Sequence, residues 1–174
     1  MHLLVLRCQA GDERAFARLL DQFGDRTLRY LRGLVGDDAE DVQQDLWLAV
    51  YTNVKTLANP RAFRTWLFRT TRHRAIDFLR STRRERELFD DVELEVVEVS
   101  GDQDTRPPEF DQLGAALEAI PPPQREALLL KYQDDLSYEE IAVVVGVPIG
   151  TVRTRIHHGK KKLAQLLTQQ GAKS

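Results

Sequence analysis

The chain has 174 residues, 42% of them hydrophobic and 30% charged, with a formal net charge of −2, a balance that fits one globular domain or two small ones. No apolar run approaches the length of a membrane span and no signal-peptide pattern opens the chain, which excludes an integral membrane protein and leaves the cytoplasm as the expected location. A single cysteine, Cys8, excludes an internal disulfide framework.

Without a partner cysteine, Cys8 is expected to be a small residue packed on a helix. Asp12 can cap the next helix, in which Phe16, Leu19, Leu20 and Phe23 recur at helical spacing; Leu28, Leu31, Leu34 and Val35 resume the pattern beyond a break at Gly24. Between Asp37 and Tyr51, the residues Val42, Leu46, Ala49 and Val50 form an apolar stripe, while Asp41, Gln44, Asp45 and Leu48 make a separate face at offsets of three and four. That face is either solvated or a protein-binding surface, the second reading drawing on Trp47, Leu48 and Tyr51 beside it.

Asn59-Pro60 marks a loop into a helix that starts near Arg61 and carries nine arginines through Arg86 against Asp77 and Glu85. Phe63, Trp66, Leu67, Ala75, Ile76, Phe78 and Leu79 can supply its buried side, with Arg69, Arg72, His73, Arg80, Arg83 and Arg84 near one stripe. Arginines interleaved with aromatics suit single-stranded nucleic acid, because guanidinium groups hold phosphates while rings stack on unpaired bases. The alternative is a solvated basic face.

Residues 87–111 hold ten acidic residues against one basic, together with Gly101, Pro107 and Pro108, a composition that resists compact folding and reads as a tether. Leu94, Val96, Val97 and Val99 leave a short strand or partner-binding segment open there. The formal charge is therefore segregated: +5 over residues 1–86, −9 over 87–111 and +2 over 112–174. Two basic modules flank an acidic connector.

Beyond it, residues 111–120 and 124–133 look helical, punctuated by Pro121, Pro122 and Pro123. Ser137 and Glu140 form a capping box, followed by Ile141, Ala142 and Val145 facing a core, Gly146 in the left-handed conformation that ends a helix, and Val147 at the corner. Pro148 suits a first helical turn, and Val152, Ile156 and Leu163 give the second helix a buried side. Thr151, Arg153, Thr154, Arg155, His157 and His158 are left to solvent or DNA, the pattern of a helix-turn-helix, although a plain helical hairpin with a solvated basic face shares its periodicity. The expected fold is all-α: two small helical domains, 1–86 and 112–174, joined by an acidic linker at 87–111.

Taken together, CQAGDERAFARLL at 8–20, DAEDVQQDLWLAVY at 38–51, PRAFRTWLFRTTRHRAIDFLR at 60–80 and the stretch from Ile120 to Leu163 resemble a bacterial sigma factor of the extracytoplasmic-function group, with sigma-two and sigma-four domains. The resemblance implies a non-catalytic transcription initiation factor, tied to stress response, that binds core RNA polymerase and promoter DNA. It also implies an anti-sigma factor, soluble or membrane-bound, and no cofactor, metal or catalytic residue. On this resemblance Asp41, Gln44, Asp45 and Leu48 dock on the polymerase. The loop at 54–63 pockets a flipped base, so that Asn59, Arg61, Phe63, Trp66, Arg69, Arg72, His73 and Arg80 recognise and melt the minus-10 element. Thr151, Arg153, Thr154, Arg155 and His157 enter the minus-35 major groove, while Lys160, Lys161 and Lys162 neutralise phosphates. His73 and Arg74 stand where the common family stretch has an asparagine and an apolar residue.

Two other functions compete. An autonomous helix-turn-helix regulator accounts for the C-terminal half and not for the arginine-rich helix. A metal-dependent nuclease would have to use His157 and His158, but adjacent histidines on a helix point in different directions and no carboxylate or cysteine nearby completes a ligand set.

Overall fold

Asp12 starts a 23-residue helix in the computed structural model: its Oδ1 accepts the Ala15 amide at 3.1 Å, and Arg7 pairs with its Oδ2 at 2.6 Å. The bond from Arg7, with help from the Ala15 amide, holds the Asp12 carboxyl below its ordinary pKa. The structure describes residues 1–89 and 108–171, and every regular element among them is helical. The chain divides into two units, Met1–Ser100 and Gly101–Ser174.

The first unit contains α1 (His2–Gln9), α2 (Glu13–Val35), α3 (Ala39–Asn53) and α4 (Phe63–Phe89), with short 3-10 turns at Gly36–Asp38, Val54–Thr56 and Pro60–Ala62. Leu19, Phe23 and Leu31 of α2, Val42, Leu46 and Val50 of α3, and Phe63 and Leu67 of α4 meet in one core, joined by Val5 and Cys8 of α1. Burial pushes the Cys8 thiol up, which suits packing and not reactivity. Phe23 meets Phe63 edge-on with ring centroids 5.7 Å apart, and Tyr30 meets Phe68 the same way at 5.6 Å.

Three expectations about this unit need correction. Helix α2 does not break at Gly24 but runs unbroken from Glu13 to Val35. The Gly24 carbonyl accepts from the Thr27 hydroxyl at 2.9 Å and from Gln43 Nε2 at 2.7 Å, so α3 secures the position where propensity alone favours a break. Leu20 and Leu79, assigned to buried stripes, are 41% and 47% exposed, and Phe68 and Thr71 are buried on α4 instead. Trp47 is not part of a surface: it is 7% exposed and lies edge-on to Phe16 at 5.9 Å.

The second unit contains α5 (Pro108–Glu118), α6 (Pro122–Leu128), a π-helical turn (Leu129–Gln133), α7 (Tyr138–Val145) and α8 (Ile149–Gly171). Pro122 and Pro123 sit inside the first turn of α6, where a missing amide loses no hydrogen bond. The capping box is formed: Ser137 Oγ accepts the Glu140 amide at 3.1 Å, and Glu140 Oε2 accepts the Ser137 amide at 2.8 Å. Gly146, at φ 72° and ψ 37°, ends α7 in the left-handed conformation, its amide donating to the Ala142 carbonyl. Helix α8 begins at Ile149, just after Pro148, whose carbonyl accepts the Thr151 and Val152 amides. Ile141, Val144, Val145, Val152 and Ile156 are buried; Ala142 and Leu163 are only half-buried. Helix α4 extends to Phe89 and α5 begins at Pro108, and the acidic tether expected between them falls largely on 90–107, outside the described residues.

Periodicity gave no hint of what Gly159 does. A Cβ built there would lie 2.9 Å from Leu128 Cδ1 and 3.1 Å from Leu128 Cγ, so the missing side chain lets α8 cross α6 closely. Gly159→Ala should therefore leave the C-terminal unit about 1 kcal/mol less stable than Gly150→Ala does, because Leu128 must shift to admit the methyl group. Gly150→Ala, on the same helix with nothing within 4 Å, is the control and should be neutral or stabilising. Urea unfolding measures both, and equal midpoints for the two variants would show that α6 and α8 do not need the close approach.

Candidate functional site

Three groups of exposed polar residues stand out against the two cores. On α3 the burial of Val42, Leu46 and Val50 turns Asp41, Gln44, Asp45 and Leu48 together to the opposite face, all exposed, with Leu48 at 67%. Tyr51 continues that face at 52% exposure, its ring edge-on to Phe16 at 5.0 Å. A branched apolar side chain held in water beside two carboxylates and an amide is a surface suited to a protein partner.

The second group runs from the loop before α4 along that helix. Asn59 Oδ1 accepts the Arg61 amide at 3.0 Å, which sets the 3-10 turn that leads into α4 and leaves the Arg61 side chain exposed. The loop is held from behind by a residue the sequence did not single out. Gln9 Nε2 donates to the carbonyls of Val54 at 3.0 Å and Leu57 at 2.8 Å. Phe63 does not reach the surface: it is wholly buried against Phe23, so its ring has no face for a base and serves to seat the loop. Arg69, His73 and Arg80 are exposed and fall on one line opposite the buried Phe63, Leu67, Thr71 and Ala75, with half-buried Trp66 on the same side. Arg72 sits on the flank of that line, half-buried. The result is a helix with a dry aromatic side and a wet cationic one.

The third group is on α8. The buried line of Val152, Ile156 and Gly159 turns Thr154, His157 and Lys161 directly outward. Arg153 and Lys160 share one flank; Thr151, Arg155, His158 and Lys162 share the other, all exposed except Arg155, which is half-buried. The Thr154 hydroxyl donates back to the Gly150 carbonyl at 3.0 Å and the rings of His157 and His158 lie 5.7 Å apart. Two tyrosines that periodicity did not mark lie beneath the first flank, Tyr138 under Arg153 and Tyr132 under Lys160. Among the described residues no helix is long and apolar enough to cross a membrane, and no group of three or more histidines, cysteines or carboxylates could hold a metal.

Comparison with known proteins shows the family. The model of sigma-70 region 2 matches residues 19–85 and that of sigma-70 region 4 matches residues 110–163. The chain is 34% identical to the RNA polymerase sigma-H factor of Pseudomonas aeruginosa, covering 94% of this chain and 92% of that one. It is 32% identical to the ECF RNA polymerase sigma-E factor of Haemophilus influenzae, covering 92% and 91%. Among solved structures it is similar to CnrH in complex with the cytosolic domain of CnrY, at 25% identity and TM-score 0.70 over 97% of each chain. It is similar too to the sigma factor RpoE in complex with the anti-sigma factor NepR from Bartonella quintana, at 26% identity and TM-score 0.72 over 88% of this chain and 96% of that one.

The two bonds from Gln9 make a direct test of how the loop is held. Gln9→Ala should speed amide exchange at Leu57 and Ala62 by about ten-fold, because the loop then opens without first breaking either bond. Exchange at wild-type rates would mean that Asn59 and Pro60 hold the loop unaided.

Proposed function

The chain belongs to the extracytoplasmic-function group of RNA polymerase sigma factors, and from that membership we propose how its two units divide the work of initiation. Sigma factors are not catalysts; the polymerase supplies the chemistry, and this chain supplies binding and promoter choice. The sigma-two module, residues 1–86, docks on core polymerase through Asp41, Gln44, Asp45 and Leu48 and opens the minus-10 element. The sigma-four module, residues 112–174, reads the minus-35 duplex, and 87–111 links them. The match of sigma-70 region 2 to residues 19–85 accounts for the half of the chain that an autonomous regulator leaves without a role.

The observation that carries the proposal is the outward line of Arg69, His73 and Arg80 directly beyond the Asn59 loop. A base flipped from the duplex needs a pocket, and its strand then needs cations along its path. The loop, seated by Phe63 and tied by Gln9, is where the family resemblance puts the first; the line on α4, with Trp66 at its start, offers the second. Helix α8 meets a different requirement. An α-helix fills the major groove, so Arg153, Thr154, Arg155 and His157 at its first exposed turns approach base edges while Lys160, Lys161 and Lys162 approach phosphates. With only +2 on residues 112–174, the module has little nonspecific attraction for DNA and depends on the polymerase for occupancy. The two solved relatives are each bound to a second protein, one of them an anti-sigma factor, which supports an anti-sigma partner for this chain.

The two DNA tasks separate experimentally. Arg155→Ala should weaken closed-complex formation by the holoenzyme and relax minus-35 preference, costing about 1 to 3 kcal/mol for a bidentate base contact. Arg69→Ala with Arg80→Ala should form closed complexes normally but leave the minus-10 region unreactive to permanganate. A premelted bubble template should rescue the α4 variant and not the α8 variant. Equal rescue of both, or of neither, would overturn the division between the modules.

A further inference from the structure

Two cations of α8 rest on aromatic rings of their own unit. Arg153 Cζ lies 6.0 Å from the centroid of Tyr138, the first residue of α7, and Lys160 Nζ lies 5.7 Å from the centroid of Tyr132, in the π-helical turn. Both distances are within the range at which a cation is attracted by the ring quadrupole. Arg153 and Lys160 are seven residues apart, two turns of helix, so they form one row along a flank of α8, and the two tyrosines form a matching row beneath it. Tyr138 is held at this spot by its place in the first turn of α7, immediately after the Ser137 cap. Lys131 also lies over Tyr138, at 5.3 Å, but its ammonium donates to the Leu136 carbonyl at 3.2 Å, which ties it to the loop.

Resting on the reading of α8 as the duplex-reading helix, we propose that Tyr138 and Tyr132 are positioning residues for promoter recognition, fixing Arg153 and Lys160 along one edge of that helix before DNA arrives. A long cationic side chain in water samples many rotamers, and binding DNA selects among them at an entropic cost. A ring under the cation removes part of that cost while leaving the N–H groups outward to bond. The phenol hydroxyl plays no part in this, so phenylalanine should substitute for tyrosine and leucine should not. The two positions should also differ in kind. Arg153, near the start of α8, would influence which base pair is preferred; Lys160, farther along, would contribute to phosphate attraction irrespective of sequence.

The experiment uses full-length chain assembled with core polymerase and a pool of duplexes randomised over the upstream element, bound duplexes being counted by sequencing. Wild type should enrich a defined upstream sequence. Arg153→Ala should lose the preference at one base-pair position, and Tyr138→Leu should weaken that same preference about three-fold while Tyr138→Phe keeps it. Exposed Tyr132 provides a second arm that does not depend on α7. Tyr132→Leu should lower binding of all duplexes evenly, and should have no further effect once Lys160 is alanine. A Tyr138→Leu profile identical to wild type, loss of the preference in Tyr138→Phe, or additive losses for Tyr132→Leu and Lys160→Ala would each overturn the positioning role. Failure of the wild-type holoenzyme to enrich any upstream sequence would instead overturn the duplex-reading role of α8, and the positioning role with it.

Discussion

The edge-on contact of Phe23 with Phe63, 5.7 Å between centroids, sets the geometry on which the rest of the N-terminal unit depends. It fastens the first residue of α4 to the middle of α2, and so fixes where the Asn59 loop ends and which side of α4 turns inward. Once Phe63, Leu67, Thr71 and Ala75 face the core, helical periodicity leaves Arg69, His73 and Arg80 no direction but outward. The Asn59 cap and the two bonds from Gln9 then hold the loop at the head of that cationic line. One aromatic pair thus links the hydrophobic core to the proposed strand-binding path.

The C-terminal unit solves a related problem with small residues. Gly146 allows the chain to turn sharply after α7, and Gly159 allows α8 to press against Leu128 of α6. Between these two points the buried side of α8 is committed to Val152 and Ile156, so its polar residues divide into an outward face and two flanks. The net charge of −2 conceals both cationic surfaces, because the acid is concentrated at 87–111. A protein of this kind need not be basic overall to meet DNA, provided that its polymerase brings the two surfaces to the promoter.

Features governed by neighbours in sequence were legible before the fold was known. The Asp12 cap, the Ser137–Glu140 box, the left-handed Gly146 and the two faces of α3 all follow from residues within about one or two turns of each other. Features governed by partners distant in sequence were not. Gly24 stays helical with Gln43, 19 residues away, engaging its carbonyl, Trp47 is drawn edge-on to Phe16, and Gln9 reaches a loop some 45 residues away. Nothing in a periodic pattern distinguishes Phe63, which is buried, from Trp66, which is half-buried, although both are aromatics among arginines. The same limit hid the tyrosines beneath Arg153 and Lys160, since an aromatic in a turn carries no sign of which cation it will meet.

The chain gives promoter choice to a polymerase that lacks it. Transcription in vitro from fragmented genomic DNA, with core polymerase and purified chain supplied separately and together, tests this most directly. Discrete transcripts should arise only from the combination, with start sites that share two upstream elements. Identical transcripts from core polymerase with and without the chain, alongside tight specific duplex binding by the chain alone, would contradict it.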